Sequence, residues 1–146
     1  MDALSSKIRV ARLIRSARNT HIVDESGSEP SEVAIYTLSD PRDVRQVRYV
    51  GQTRSPRSRF SQHLNTARLW LPDDLPWWVA RPQLRPLYHW IRELYQDECR
   101  LPMMFIMAWT PARQARTAER VHICECLGQQ LPLLNFEAET RQRLLT

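Results

Sequence analysis

Leu4, Ile8, Ala11 and Ile14 recur at helical spacing, with Lys7, Arg9, Arg12, Arg15 and Arg18 between them, so a helix is predicted over 4–18. Residues 19–32 lose that period and are rich in Ser, Gly, Pro and acids, the composition of a linker. A new pattern starts at Val33. Residues 33–38 (VAIYTL) have strand composition, 39–46 (SDPRDVRQ) read as a loop, and 47–52 (VRYVGQ) read as a second strand, together a hairpin. Alternation along each strand puts Ala34, Tyr36 and Leu38 on one face, and Val47, Tyr49 and Gly51 on one face of the partner.

Ser55-Pro56 opens a helix, with Ser as N-cap and Pro in the first turn, and Phe60, Leu64 and Ala67 form its buried stripe. A Pro- and Trp-rich loop follows over 71–83. A further helix runs from about Pro86 to Glu98, with Leu87, Tyr88, Ile91, Leu94 and Tyr95 as its apolar face. Residues 103–109 (MMFIMAW) are continuously apolar after Pro102, which predicts a central buried strand. Residues 112–127 form the last helix, and Leu131 to Phe136 closes the core. The fold class is therefore α+β. Residues 1–32 make a basic helix and linker, 33–136 the main domain and 137–146 a charged tail. The N-terminal helix has three readings: a phosphate grip, a self-association surface, or a cover for the core.

A chain of 146 residues suits one domain with one core. No apolar run is long enough for a membrane span, and no secretory signal is recognised at the N-terminus. Asp2 and the lack of a clear cleavage site argue against a transit peptide. Three cysteines without framework spacing point to a reducing cytoplasm. The net charge of +5 changes the picture more, because Lys7 is the only lysine and the rest of the positive charge is arginine. Guanidinium groups bind phosphate through paired planar hydrogen bonds, and a basic surface attracts nucleic acid.

Chemistry-bearing side chains fall at informative positions. Tyr36 and Tyr49 lie on neighbouring strands and can face the same way. Arg59 and His63 are four apart, so they project from one helix face. Glu119 lies on a stripe with Ala115, Ile123 and Cys126, where a carboxylate is costly unless paired or metal-bound. Phenols, a guanidinium, an imidazole and a lone acid suit phosphodiester cleavage, but spacing alone leaves their convergence open.

Ala34-Ile35-Tyr36, followed after a short loop by Tyr49-Val50-Gly51, resembles the two signature triplets of the GIY-YIG nuclease superfamily. Arg59 and His63 resemble its helical Arg-x-x-x-His/Tyr motif, Ala118-Glu119 its metal-binding glutamate, and Leu134-Asn135 the asparagine that ends its core. The likeness spans roughly 33–136. It implies a three-stranded antiparallel sheet flanked by helices, here with an extra N-terminal helix. Two departures stand out. Ala34 replaces the first glycine, which is tolerable unless the backbone there needs a positive φ, and Val50 replaces the central Ile.

The resemblance implies a metal-dependent DNA endonuclease. Glu119 would hold one Mg²⁺ or Mn²⁺. Arg59 would clamp a phosphate oxygen. Tyr36 or Tyr49 would help deprotonate water, Tyr36 being favoured, with His63 in support and Asn135 holding the site together. Arg42, Arg45, Arg54 and Arg57 would flank the site and track DNA, beside Gly51 and Gln52. A non-catalytic DNA-binding module and a restriction-type homodimer joined through the N-terminal helix are the alternatives. Trp77 and Trp78 suit base stacking or a core edge. Of His122, Cys124 and Cys126, only His122 and Cys126 are placed to share a metal, short of the usual four zinc ligands.

Overall fold

The computed structural model describes residues 3–24, 32–71 and 85–135. Four helices and four strands follow in the order α1 (Ala3–Thr20), β1 (Ile22–Asp24), β2 (Val33–Asp40), β3 (Asp43–Thr53), α2 (Pro56–Thr66), α3 (Pro86–Glu98), β4 (Met103–Thr110) and α4 (Ala112–Gly128). The chain is α+β, but its sheet has four strands in the order β1-β4-β2-β3, where three were expected. β2 pairs antiparallel with β3 and β4, and β1 pairs parallel with β4.

The added strand lies in the stretch read as linker. Ile22 and Val23 are β-branched residues that fit the otherwise open edge of β4. Three residues are too few to show a strand period. The hairpin loop is also shorter than expected. β2 runs on to Asp40 and β3 starts at Asp43, so the Asp-Pro signature marks the turn itself. Asp40 Oδ1 accepts the Arg42 backbone N–H at 2.9 Å, closing that turn. Arg48 is skipped in the pairing, since Leu38 faces Tyr49 and Ser39 faces Val47. This bulge turns Val47 onto the face opposite Tyr49, correcting the simple alternation.

Both sheet faces are covered. On one side Ala34, Tyr36, Leu38, Met104 and Ile106 pack against α1, α2 and α3. On the other, Val33, Ile35 and Val50 pack against Ala115, Ile123 and Leu127 of α4. Phe60, Leu64 and Ala67 are buried as expected from α2's stripe. Pro56 starts that helix, but the Ser55 side chain makes no capping bond. α3 ends on Cys99 in the left-handed region, φ 54°.

α1 covers the core, one of its three anticipated roles. Its docking stripe is Val10, Ile14 and Ala17, whereas Leu4 and Ile8 of the expected stripe are 68% and 47% exposed. A charge sits inside the helical layer as well. Buried Arg92 donates from Nη1 to the carbonyls of Ala67, at 2.8 Å, and Arg68, at 2.5 Å, and from Nη2 to Leu71 at 3.3 Å. It thereby satisfies backbone acceptors left open where α2 ends. Trp77, Trp78, Phe136 and the expected tail lie outside the described residues.

Candidate active site

Tyr36 sits in the middle of β2 and is fully buried. Its hydroxyl lies 2.7 Å from His63 Nε2 and accepts a long hydrogen bond, 3.4 Å, from Arg59 Nε. Helical spacing places Arg59 and His63 on one face of α2, and that face looks at the sheet. Tyr49 joins from β3. Its ring centroid is 5.2 Å from His63, edge-on, and 6.1 Å from Tyr36. Tyr88 of α3 adds a fourth ring, 6.3 Å from His63. Tyr88 was legible only as part of an apolar helix face, and nothing in its spacing marks it further.

Gly51 lies opposite Tyr36 in the β2–β3 register. A Cβ built on Gly51 would stand 2.5 Å from the Tyr36 hydroxyl oxygen and 2.6 Å from Cζ. The phenol therefore lies directly across the Gly51 backbone. Expected at a DNA-contacting surface, Gly51 is buried beneath the phenol. Ala34 has no positive φ, so the replaced glycine of the first triplet is sterically harmless.

Glu119 comes from the α4 layer on the other side of the sheet. It is half-buried, and its Oε2 accepts a 2.5 Å hydrogen bond from Gln52 Nε2 of edge strand β3. Gln52 was expected to contact DNA; its amide is instead committed to Glu119. Alternation puts Gln52 on the same face as Val50, toward α4, and that polar residue on a covered face was the available signal. Asn135 lies against β3. Its Oδ1 accepts the Val50 N–H at 3.0 Å and its Nδ2 donates to the Val50 carbonyl at 2.6 Å. Leu134 N–H adds a bond to the Arg48 carbonyl. These contacts satisfy the open edge of β3, next to Tyr49.

Electrostatics bind these groups together. Burial raises both tyrosines above their ordinary pKa, and the nearby Glu119 charge pushes in the same direction, while Arg59 opposes it. Burial, reinforced by the Arg59 charge, pushes His63 down to about 3. His63 is thus a neutral imidazole at physiological pH, and its Nδ1 is buried without a hydrogen-bond partner among the described residues.

The His63 shift has a measurable consequence. The folded state disfavours the proton, whereas the unfolded chain takes it up near 6.5. The stability from neutral His63 is complete above 6.5 and falls as pH drops from 6.5 toward 3. At pH 4 the loss is about 3 kcal/mol, from roughly 2.5 units at 1.36 kcal/mol each. Urea denaturation at pH 7 and pH 4 should show the parent losing about that much more stability than His63→Gln. Equal losses would show that His63 is not held neutral by the fold.

The expected DNA-tracking arginines divide into two groups. Arg42 is ion-paired to Asp40 at 2.7 Å and Glu98 at 3.2 Å, and Arg45 to Asp43 at 3.0 Å. Both lie at the turn end of β3. Gln52 is seven residues beyond Arg45 and ten beyond Arg42, about 23 Å or more at 3.3 Å per residue. They do not flank the site. Arg54 and Arg57 do, where β3 passes into α2, and both are exposed. On α4, His122 Nδ1 is 3.9 Å from Glu125 Oε2. Among the described residues, no three His, Cys, Asp or Glu side chains come together around a common point.

No family model matches the chain, and no solved structure matches it. Over 70 residues it is 37% identical to proteins named outer membrane protein assembly factor BamD, from Neisseria meningitidis serogroup A / serotype 4A and from Neisseria gonorrhoeae. The match covers 48% of this chain and 24% of each relative, so the chain spans about a quarter of the length of these relatives. No helix among the described residues is long and apolar enough to cross a membrane.

Proposed function

We propose that this protein is a metal-dependent DNA endonuclease of the GIY-YIG type. The observation carrying this reading is the Tyr36 hydroxyl between Arg59 Nε and His63 Nε2, with Tyr49 and the Glu119 charge close by. Tyr36, Tyr49, Arg59 and His63 meet on one face of the sheet, and the charge of Glu119, held by Gln52 on edge strand β3, is felt by both tyrosines.

Each residue has a physical task. Arg59 offers a fixed guanidinium to a non-bridging phosphate oxygen and stabilises the extra charge of the transition state. Its Nε can only donate, so the Tyr36 oxygen accepts there and turns its own hydrogen toward His63 Nε2. His63 then carries its proton on Nδ1. The attacking water gives its proton to the Tyr36 oxygen as the phenol hydrogen moves to His63. Phosphate arriving at Arg59 brings negative charge beside the group that helps hold His63 low, and this raises the imidazole's basicity. Tyr49 orients water and phosphate.

Glu119 fits a hard divalent ion. One carboxylate oxygen is fixed by Gln52, and the other has no hydrogen-bond partner among the described residues. Mg²⁺ is commonly held by one or two carboxylates with water and phosphate completing the shell. When bound, Mg²⁺ or Mn²⁺ would supply Lewis-acid stabilisation of charge on the leaving 3′ oxygen. Gln52 acts through Glu119 as a positioning residue.

Incubation with labelled single-stranded, duplex and branched DNA tests the reading. Cleavage is expected with Mg²⁺ or Mn²⁺ and none with chelator. Binding without cleavage of any substrate under either metal would overturn it in favour of a DNA-binding module.

A further inference from the structure

β1 and the end of α1 meet the main sheet and the start of α2 around a cavity of about 430 Å³. This volume lies in the range of small-ligand sites. Arg18, Arg54 and Arg57 line it, with Trp109, Ile22 and Ile106. The Arg18 Nε is buried without a hydrogen-bond partner among the described residues. Arg57 is steadied by Asn19 Oδ1, which accepts from its Nη2 at 2.9 Å, so α1 fixes a guanidinium that α2 carries. One carboxylate also lines the cavity, Asp24, whose Oδ1 accepts a long 3.5 Å bond from Trp109 Nε1.

The cavity opens beside the proposed cutting site. Ile106 is the register partner of Tyr36, and Trp109 is the partner of Ala34 two residues along the same strand.

Three guanidiniums alone describe a phosphate site. An indole and two isoleucines in the same small cavity describe something else, a place for a flat apolar face. Phosphate and an accessible base face occur together in an unpaired nucleotide, because stacking in a duplex covers the faces. Asp24 adds an acceptor suited to a base N–H, such as the ring N3–H of thymine. We propose that this cavity binds one unpaired nucleotide of a DNA strand, so that the enzyme acts on single-stranded DNA or on duplexes with a single-stranded flank. This deepens the nuclease reading and rests on it for the cutting step, although the binding step stands alone. The N-terminal unit then has a second task beyond covering the core: it completes the pocket with Arg18 and Asp24.

Fluorescence anisotropy with the full chain in chelator separates binding from cutting. The probes are a labelled thymidine decamer, a blunt duplex of the same length, and unlabelled thymidine monophosphate as competitor. The decamer should bind at least about tenfold more tightly than the duplex. Trp109→Ala should weaken decamer binding about tenfold, the size expected for one lost base–aromatic stack, and change duplex binding less than twofold. Trp109→Phe should restore most of the loss, which excludes misfolding as its cause. Arg57→Ala should weaken both and lower the salt slope by about one. Equal effects of Trp109→Ala on decamer and duplex, or tighter binding of the duplex, would overturn the proposal. So would thymidine monophosphate competing at the affinity of the decamer, which would mark a free-nucleotide site. Decamer selectivity without metal-dependent cleavage would uphold the pocket and sink the nuclease reading.

Discussion

Arg59→Ala and Glu119→Ala are each expected to lower metal-dependent DNA cleavage by about 10²–10³-fold, with DNA affinity changed only a fewfold. The magnitude is that of removing one preorganised charge-stabilising group, about 2.7–4 kcal/mol of transition-state stabilisation. Arg59 is partly exposed and its described contacts are polar, with Tyr36, Tyr49 and Gln62, so its loss removes little apolar packing from the core. Glu119 accepts only the Gln52 bond among the described residues. Both variants should therefore melt close to the parent, and the drop should appear in single-turnover rates at saturating DNA. The two differ in metal response. More Mn²⁺ should leave Arg59→Ala as slow as before. Gln52→Ala should behave as a weak version of Glu119→Ala, needing more metal but approaching the parent rate at saturation. Equal cleavage by Glu119→Ala and the parent would remove the proposed metal role. Equal cleavage by Arg59→Ala would leave the phosphate clamp without its main residue.

Long periodic elements were readable because burial dictates their pattern. Phe60, Leu64 and Ala67 on α2, and Leu87, Ile91 and Leu94 on α3, are buried where helical spacing places them. β1 was not readable, because three residues carry no period and its stability comes from a neighbour 82 positions away, Met104 facing Ile22. The burial of α1 on Val10 and Ala17 was missed for a related reason. Leu4 and Ile8 have the same spacing as a docking stripe, and only the partner surface decides which stripe is used. The bulge at Arg48 likewise follows from tertiary pairing, and it moved Val47 to the opposite face.

Readability of the candidate site follows the same logic. Arg59 and His63 were legible as a pair because one helix fixes their separation. Glu119 was legible as a carboxylate among apolar positions, but its partner was not, since Gln52 is 67 residues distant. A buried arginine was one conceivable partner. Arg92 is such an arginine, yet it is occupied by backbone carbonyls where α2 ends. Charge alone could not separate Arg42 and Arg45 from Arg54 and Arg57. The former are neutralised by carboxylates at the far turn, while the latter stand where the strand enters α2.

Gly51→Ala should cut activity about 100-fold or more and cost about 1–3 kcal/mol of stability, although it adds a single methyl group. The new Cβ would fall 2.5 Å from the Tyr36 hydroxyl oxygen, 2.6 Å from Cζ and 2.9 Å from Cε1. The hydroxyl oxygen and two ring carbons are met at once, so no small rotation of the hydroxyl relieves the contact. The phenol cannot retreat either, because Tyr36 is fully buried beside His63 and Tyr49. The ring must shift by close to an ångström, which breaks the 2.7 Å contact with His63 Nε2 and the longer bond from Arg59. A displacement of that size at a positioned group is enough for a 10²-fold loss. Tyr36→Leu supplies the control, since it removes the hydroxyl oxygen and both ring carbons that lie nearest to the new Cβ. On that background Gly51→Ala should cost clearly less stability than in the parent, a coupling that a double-mutant cycle reads from urea midpoints. Additive costs would show that Gly51 is required by the strand itself and not by the phenol lying across it.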